Sequence, residues 1–245
     1  MDVTVYACHQ DIDDRKIRDR SLVVIDLLRA STCIVQAVDN GARSVIPVGE
    51  VEEAVNIHRA RGGQTLLAGE RHGLKIDSFD LGNSPQDFLP EIIRRRVIVM
   101  CTTNGSAALE RLRRFYPVWV GCLRNRKALC EQLVRDGKDI AIVCAGTDGA
   151  FSADDIFCAG SFLRALRALT DSVKTDDLGL TAECFYSSVR RNPSQLGKIE
   201  HIKTLHRLGL DEDISFCFQE DVSMALPTLY DGFSIEDYRE VGERM

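Results

Sequence analysis

Residues 21–32 read SLVVIDLLRAST: an apolar run broken by one acid, Asp26, then a cation, Arg29, and small or hydroxyl-bearing residues. Ser21 to Leu27 has the length and β-branched content of a strand buried on both faces. The change at Arg29-Ala30-Ser31-Thr32 marks a turn into a helix, expected near residues 31–40. The same alternation recurs outward from this stretch. Strands are expected at 3–7 (VTVYA), 44–48 (SVIPV), 65–69 (TLLAG), 96–101 (RVIVMC), 117–121 (PVWVG) and 140–145 (IAIVCA), with helices near 51–61, 105–114, 125–136 and 154–169. This pattern predicts an α/β fold, a three-layer α/β/α arrangement around a largely parallel or mixed sheet. From about residue 171 the chain reads as a mainly helical completion, 171–245, punctuated by Pro193, Gly209 and Pro227. No low-complexity linker interrupts it, so residues 1–245 are expected to form a single compact unit.

A faint internal repeat runs through the first part. VVIDLLRAST, IPVGEVEEA and LLAGERHG have counterparts in VIVMCTTNGS, VWVGCLRNRKA and IVCAGTDG, which set Asp26 against Cys101, Gly49 against Gly121 and Ala68 against Ala145. Two duplicated halves, 21–95 and 96–170, are the favoured reading. The alternative is the ordinary periodicity of any α/β chain.

Composition narrows the function classes. The 245 residues are 44% apolar and 28% charged, which excludes collagen-like, coiled-coil and disordered chains. A net charge of −6 leaves no global basic field for nucleic acid or an anionic membrane, so an anionic ligand must be held by local donors. No apolar run approaches the roughly 18 residues of a membrane span, and the start lacks a basic segment or apolar signal core. A cytoplasmic protein is expected. The nine cysteines are odd in number and contain no Cys-x-x-Cys pair, and several end apolar runs. They read as reduced core thiols rather than metal ligands or disulfides.

In α/β sheets ligands gather beyond the carboxyl ends of strands, where helix N-termini offer free N–H groups. Four polar turns stand there: Asp26 to Thr32; Glu70-Arg71-His72-Gly73 with Phe79 to Pro85; Thr102 to Ser106; and Gly146 to Ser152. Thr102, Thr103, Asn104, Gly105 and Ser106 suit an oxyanion at a helix start, or equally an ordinary capped turn. Arg29 could grip phosphate or carboxylate bidentately, or pair with a neighbouring acid. A carboxylate at Asp26 is costly unless it is paired, caps a helix or binds a cation, and the cation is the favoured role. Magnesium takes one or two protein carboxylates and leaves its other positions to water and substrate. Glu70, Asp80 and Asp148 are further candidates, each also readable as a cap or turn residue.

Three phosphatase look-alikes are weaker. Arg71-His72-Gly73 matches the core of the histidine-phosphatase signature over three residues only. Cys158 and Arg164 have the cysteine-phosphatase spacing, but the residues between them read as buried helix. Asp11-Ile12-Asp13 resembles the aspartate-phosphatase pair without the residue expected after it. No Walker or dinucleotide glycine pattern indicates a nucleotide cofactor.

Taken in order, VIDLLRAST at 24–32, Gly69-Glu70-Arg71, the run from Phe79 to Pro85, Thr102-Thr103-Asn104-Gly105, Cys144-Ala145-Gly146 followed by Gly149 to Ser152, and Pro227 to Gly232 resemble the 2-phosphosulfolactate phosphatase family. The resemblance spans about residue 20 to about 232. It implies a three-layer α/β fold and a magnesium-dependent phosphatase that converts 2-phosphosulfolactate to sulfolactate and phosphate, a step towards coenzyme M. Cys33, Cys101 and Ser106 stand where threonine would be expected, and His72 where a small residue would be. The expected site then has Asp26, Arg29 and Glu70 as catalytic residues. Arg29, Ser31, Asn83, Ser84 and residues Thr102 to Ser106 would bind substrate, and Asp26, Glu70, Asp80 and Asp148 would hold Mg2+. Partners are the phosphoester substrate and, at most, a second copy of the chain as a homodimer. The competing readings are a histidine phosphatase using His72 and a non-catalytic binder of phosphorylated metabolites.

Overall fold

The computed structural model describes residues 1–242. In chain order its elements are β1 (Asp2–Tyr6), α1 (Asp14–Ile17), β2 (Ser21–Ile25), α2 (Ala30–Asp39), β3 (Ser44–Val48), α3 (Val51–Ala60), β4 (Leu66–Arg71), β5 (Leu74–Lys75), α4 (Pro90–Ile93), β6 (Val97–Cys101) and α5 (Gly105–Leu112). There follow β7 (Val118–Gly121), α6 (Arg126–Asp136), β8 (Ile140–Cys144), α7 (Ala153–Leu169), β9 (Lys174–Thr175), α8 (Asp177–Arg191), α9 (Glu200–Arg207), α10 (Asp211–Cys217), β10 (Pro227–Leu229), β11 (Ile235–Asp237) and α11 (Tyr238–Gly242). The strands and helices expected before residue 170 all form, with ends displaced by no more than two residues.

The strands make one mixed, mostly parallel sheet in the order β5-β4-β6-β3-β11-β10-β7-β2-β8-β1-β9. One parallel block is β4-β6-β3 and the other is β7-β2-β8-β1-β9. The β10–β11 hairpin joins them by antiparallel pairing to β7 and β3. The tail is therefore not simply a helical completion: it supplies the middle of the sheet. Its two strands are only three residues each, too short to show a period, and their turn is set by Asp231 Oδ1, which accepts the Phe233 and Ser234 N–H groups at 2.8 and 2.7 Å.

Alternation along β2 explains how the core is divided. Val23 and Ile25 pack into a cluster with α6, α7 and α8, whereas Leu22 and Val24 point the opposite way. That second cluster also takes Ala30, Cys33 and Ile34 from α2, Ala108 and Leu109 from α5, and Ile98 and Met100 from β6. The two blocks thus share one interior although five steps of sheet separate β6 from β2. A smaller third cluster lies between α3 and the other face of β3, β4 and β6. Burial on both faces is why these strands read as continuous apolar runs. Eight of the nine cysteines are buried and none is in a disulfide, as the spacing predicted.

Candidate active site

Bringing the two blocks together places the turns after β2, β6 and β8 and the end of β4 around one cavity of about 930 Å³. Asp26 sits at its floor. Its Oδ1 accepts the Ala30 N–H at 3.1 Å, and its own N–H donates to Ser31 Oγ at 2.8 Å, so the residue caps α2 as well as facing the cavity. The start of α5 lies directly against it. A Cβ on Gly105 would come within 2.7 Å of Asp26 Oδ2 and 2.6 Å of the Ala30 Cβ, so only glycine lets the two helix starts approach so closely.

The hydroxyl-rich turn after β6 is mostly occupied by its own protein. Ser106 N–H donates to Thr102 Oγ1 at 3.0 Å, and Thr102 N–H donates to Ser106 Oγ at 3.1 Å, a reciprocal cap buried from solvent. Thr103 gives both its N–H and its hydroxyl to Glu70 Oε1, at 2.9 and 3.0 Å, while Glu70 Oε2 accepts the Gly73 N–H at 2.9 Å. Thr102, Thr103, Asn104 and Glu70 line the cavity, whereas Gly105, Ser106 and Ser31 lie behind it as packing and capping residues.

Arg29 is 4% exposed and firmly held. Nη1 pairs with Asp213 Oδ2 at 2.6 Å and Nη2 donates to the Gly73 carbonyl at 2.7 Å. Ser84 donates to the other Asp213 oxygen at 2.6 Å, so it steadies this pair instead of lining the cavity. Asp80 lies outside as well: it is exposed, and its Oδ2 accepts the Leu67 N–H beside β4. Asp148 and His72 are exposed residues of the cavity wall, both with left-handed backbone, at φ 51° and 55°. Cys158 is fully buried within α7, which removes the cysteine-phosphatase look-alike. Asp13 merely caps α1.

Several residues without an obvious sequence signal complete the site. Asp154, 1% exposed in the first turn of α7, receives the Ser152 hydroxyl on Oδ1 at 2.6 Å. Its Oδ2 faces His201 Nδ1 of α9 at 3.4 Å without the alignment of a hydrogen bond. Among the described residues four buried side-chain polar atoms have no hydrogen-bond partner, and three of them belong to cavity residues: Asn83 Oδ1, Asp154 Oδ2 and His201 Nδ1. Such atoms are costly unless a ligand completes them. An acid pair at the start of a helix ordinarily reads as dipole compensation, which is all the SADD run at 152–155 could signal. His201 had no signal at all, being far along the chain from Asp26.

The acids perturb one another. Burial pushes the Asp26 carboxyl up to about 6, with Asp154 and Glu70 adding to the rise and His201 and the Ala30 N–H opposing it. Asp155, which accepts the Leu27 and Gly146 N–H groups and so staples the ends of β2 and β8, is held well above the usual carboxylate range by burial and by Asp154 and Asp26. Burial disfavours a charged His201, but contact with Asp154 and the Asp26 charge outweigh it and raise its pKa. Among the described residues no three His, Cys, Asp or Glu side chains converge into a metal centre by themselves, and no helix is long and apolar enough to cross a membrane.

Residues 6–232 match the family model described as 2-phosphosulpholactate phosphatase. A protein of Caldanaerobacter subterraneus subsp. tengcongensis named "Probable 2-phosphosulfolactate phosphatase" is 41% identical over 234 residues, 95% of this chain and 97% of the relative. Proteins of the same name from Clostridium novyi and Clostridium tetani are each 34% identical, covering 94% and 95% of this chain and 97% and 99% of their own.

Proposed function

The chain belongs to the 2-phosphosulpholactate phosphatase family, whose members are phosphomonoester hydrolases, and on that premise we propose that its cavity hydrolyses a small phosphorylated hydroxy acid, 2-phosphosulfolactate first among them. The setting implied by that substrate is a step towards coenzyme M. The observation that carries the reading is the convergence of unpartnered buried polar atoms on Asn83, Asp154 and His201 at the strand ends, beside the cations Arg29, Arg71 and Lys198. The phosphate, carboxylate and sulfonate of such a substrate would take N–H groups of Arg29, Arg71, Lys198 and protonated His201, while Asn83 Oδ1 and Asp154 Oδ2 are acceptors left for a cation or a donor that enters with it.

The charge balance supports a divalent cation. Asp26, Glu70, Asp148, Asp154 and Glu200 outnumber Arg29, Arg71, Lys198 and protonated His201 by one around the cavity, so a multiply charged anion needs further positive charge. Asp26 fits that need: its carboxyl is buried, one oxygen carries a single backbone N–H, and ionisation is disfavoured until a cation arrives. Asp26, with Glu70 beside it, would hold magnesium through one or two carboxylates. Bound there, the ion would offset charge developing on the phosphoryl oxygens. Glu70 keeps the Thr102–Thr103 turn fixed, and Arg29, oriented by Asp213, presents its remaining N–H groups to an acid group of the substrate. His201, charged by Asp154, would hand its proton to the ester oxygen as the O–P bond breaks, leaving the alcohol and, with water, inorganic phosphate.

Turnover of a panel of phosphorylated hydroxy acids tests this reading. Activity abolished by EDTA and restored by magnesium supports it. Turnover insensitive to EDTA, with a phosphohistidine trapped on His72, would favour a histidine phosphatase, and tight binding without turnover a metabolite-binding protein.

The strand order also supports the reading of two related halves. The first strand of each proposed repeat lies inside the other block: β2 between β7 and β8, and β6 between β3 and β4.

A further inference from the structure

At the opposite ends of β3, β4 and β6 lies a second concavity of about 750 Å³, and its walls are unlike the first. Arg43 enters it from the turn before β3, Arg61 from the loop after α3, and Arg95 and Arg96 from the turn between α4 and β6. Among the described residues none of these four arginines has a carboxylate within salt-bridge distance, although twelve ion pairs are formed elsewhere in a chain of net charge −6. Among the described residues the one hydrogen bond made by any of their guanidinium groups is to the Gln64 carbonyl, 3.4 Å from Arg96. The backbone fixes their positions: Arg43 N–H donates to the Arg96 carbonyl at 2.8 Å, and Arg95 N–H donates to the Gly41 carbonyl at 2.7 Å.

We infer that this arginine-lined concavity is a second anion site, for a compact ligand carrying two or more phosphate or sulfonate groups. Several planar guanidinium forks converge there without internal counter-charge, and such forks match tetrahedral oxyanions bidentately. Like charges gathered this closely repel one another, and an anion from solution relieves that repulsion. Among the described residues no aromatic side chain lines the walls and Val97 is the one large apolar residue there, so a base-stacked nucleic-acid strand finds no platform. The concavity of about 750 Å³ gives a small molecule room to seat. Arg96 at this site and Thr102 at the active site flank the two ends of β6, a span of about 20 Å for six extended steps. The two sites are therefore distinct, and this inference does not depend on the phosphatase reading.

Calorimetric titration of the full chain with inorganic pyrophosphate tests it, alongside the Arg43→Gln/Arg95→Gln double variant and the Asp26→Asn variant. Both arginines are exposed, so the double variant should keep its melting temperature. The expected result is saturable binding, weakened at least tenfold in the double variant and retained in Asp26→Asn, with phosphatase turnover in the absence of pyrophosphate unchanged by the arginine substitutions. Equal affinity in the wild type and the double variant overturns the inference, as does absence of binding at 10 mM (about 10 mM being the weakest affinity of interest). Should the double variant lose its fold, Arg61→Gln gives the same reading. A single-stranded oligonucleotide that binds the four arginines more tightly than pyrophosphate would assign the surface to nucleic acid and also overturn it.

Discussion

Replacing Asp26 by asparagine should make the metal-free protein more stable while nearly abolishing its activity. The stabilisation follows from burial. In the folded chain the Asp26 carboxyl titrates at about 6, above its ordinary value of 3.8, chiefly because burial penalises the charged form. The folded state therefore binds this proton more tightly than the unfolded state does. Below about pH 3.8 the group is protonated in both states and costs nothing. As pH rises to about 6 the cost grows, and above that it is complete. The gap of about two pH units corresponds to about 3 kcal/mol. Asparagine has no charge to bury, yet its Oδ1 can still accept the Ala30 N–H, so the cap on α2 survives. For a chain of this size about 3 kcal/mol corresponds to a rise in Tm of roughly 6–12 °C. The assay is thermal unfolding in EDTA from pH 3.5 to 8 for both proteins. The expected curves coincide at the acid end and separate above about pH 6 in favour of the variant. With magnesium the wild type should recover stability and the variant should not, while turnover falls on the order of a thousandfold, about 4 kcal/mol in barrier. A variant less stable than the wild type at pH 8 would refute the burial argument. An active variant with unchanged magnesium affinity would remove Asp26 from the chemistry.

His201→Gln should slow alkyl phosphate hydrolysis by about 10²–10⁴, the usual worth of a general acid, but aryl phosphates with good leaving groups far less; equal losses on both would make His201 structural. In the wild type, kcat should decline on the alkaline side at a pH above 6.5 as the His201 proton is lost, and a pH–rate profile of the variant should lack that limb. Arg29→Lys should cost about 1–3 kcal/mol of stability in urea unfolding, because one ammonium cannot satisfy both Asp213 and the Gly73 carbonyl, and should impair turnover; wild-type stability and kinetics together would contradict this. His72→Ala should retain most activity and the fold, since the side chain is exposed at the cavity wall. A loss beyond a hundredfold without unfolding, about 2.7 kcal/mol, would reopen the histidine-phosphatase reading.

Much of the architecture was legible in the residues themselves. Continuous apolar runs of strand length, each followed by a polar turn and a helical segment, identify strands buried on both faces, because that environment leaves no polar face to alternate. Asp26 stood out because an acid in such a run requires a reason, and Glu70 and Asn83 because they follow strands where α/β sheets collect ligands. Local pattern could not give long-range contacts. The hairpin of Pro227–Leu229 and Ile235–Asp237 is too short to carry a period, yet it joins the two parallel blocks. Arg29 could be read as a phosphate clamp or an ion-pair partner; only the approach of α10, which carries Asp213, showed that it is held in a pair. Thr102 and Ser106 looked like a phosphate cradle, but their hydroxyls satisfy each other and the backbone. Asp154 and His201 come from separate helices, and their pairing exists only because α7 and α9 meet over the strand ends. A strand or cap is decided by neighbours along the chain, whereas a buried charge pair is decided by whichever distant segment the core brings against it. That is why the elements could be read from the sequence and the site's partners could not.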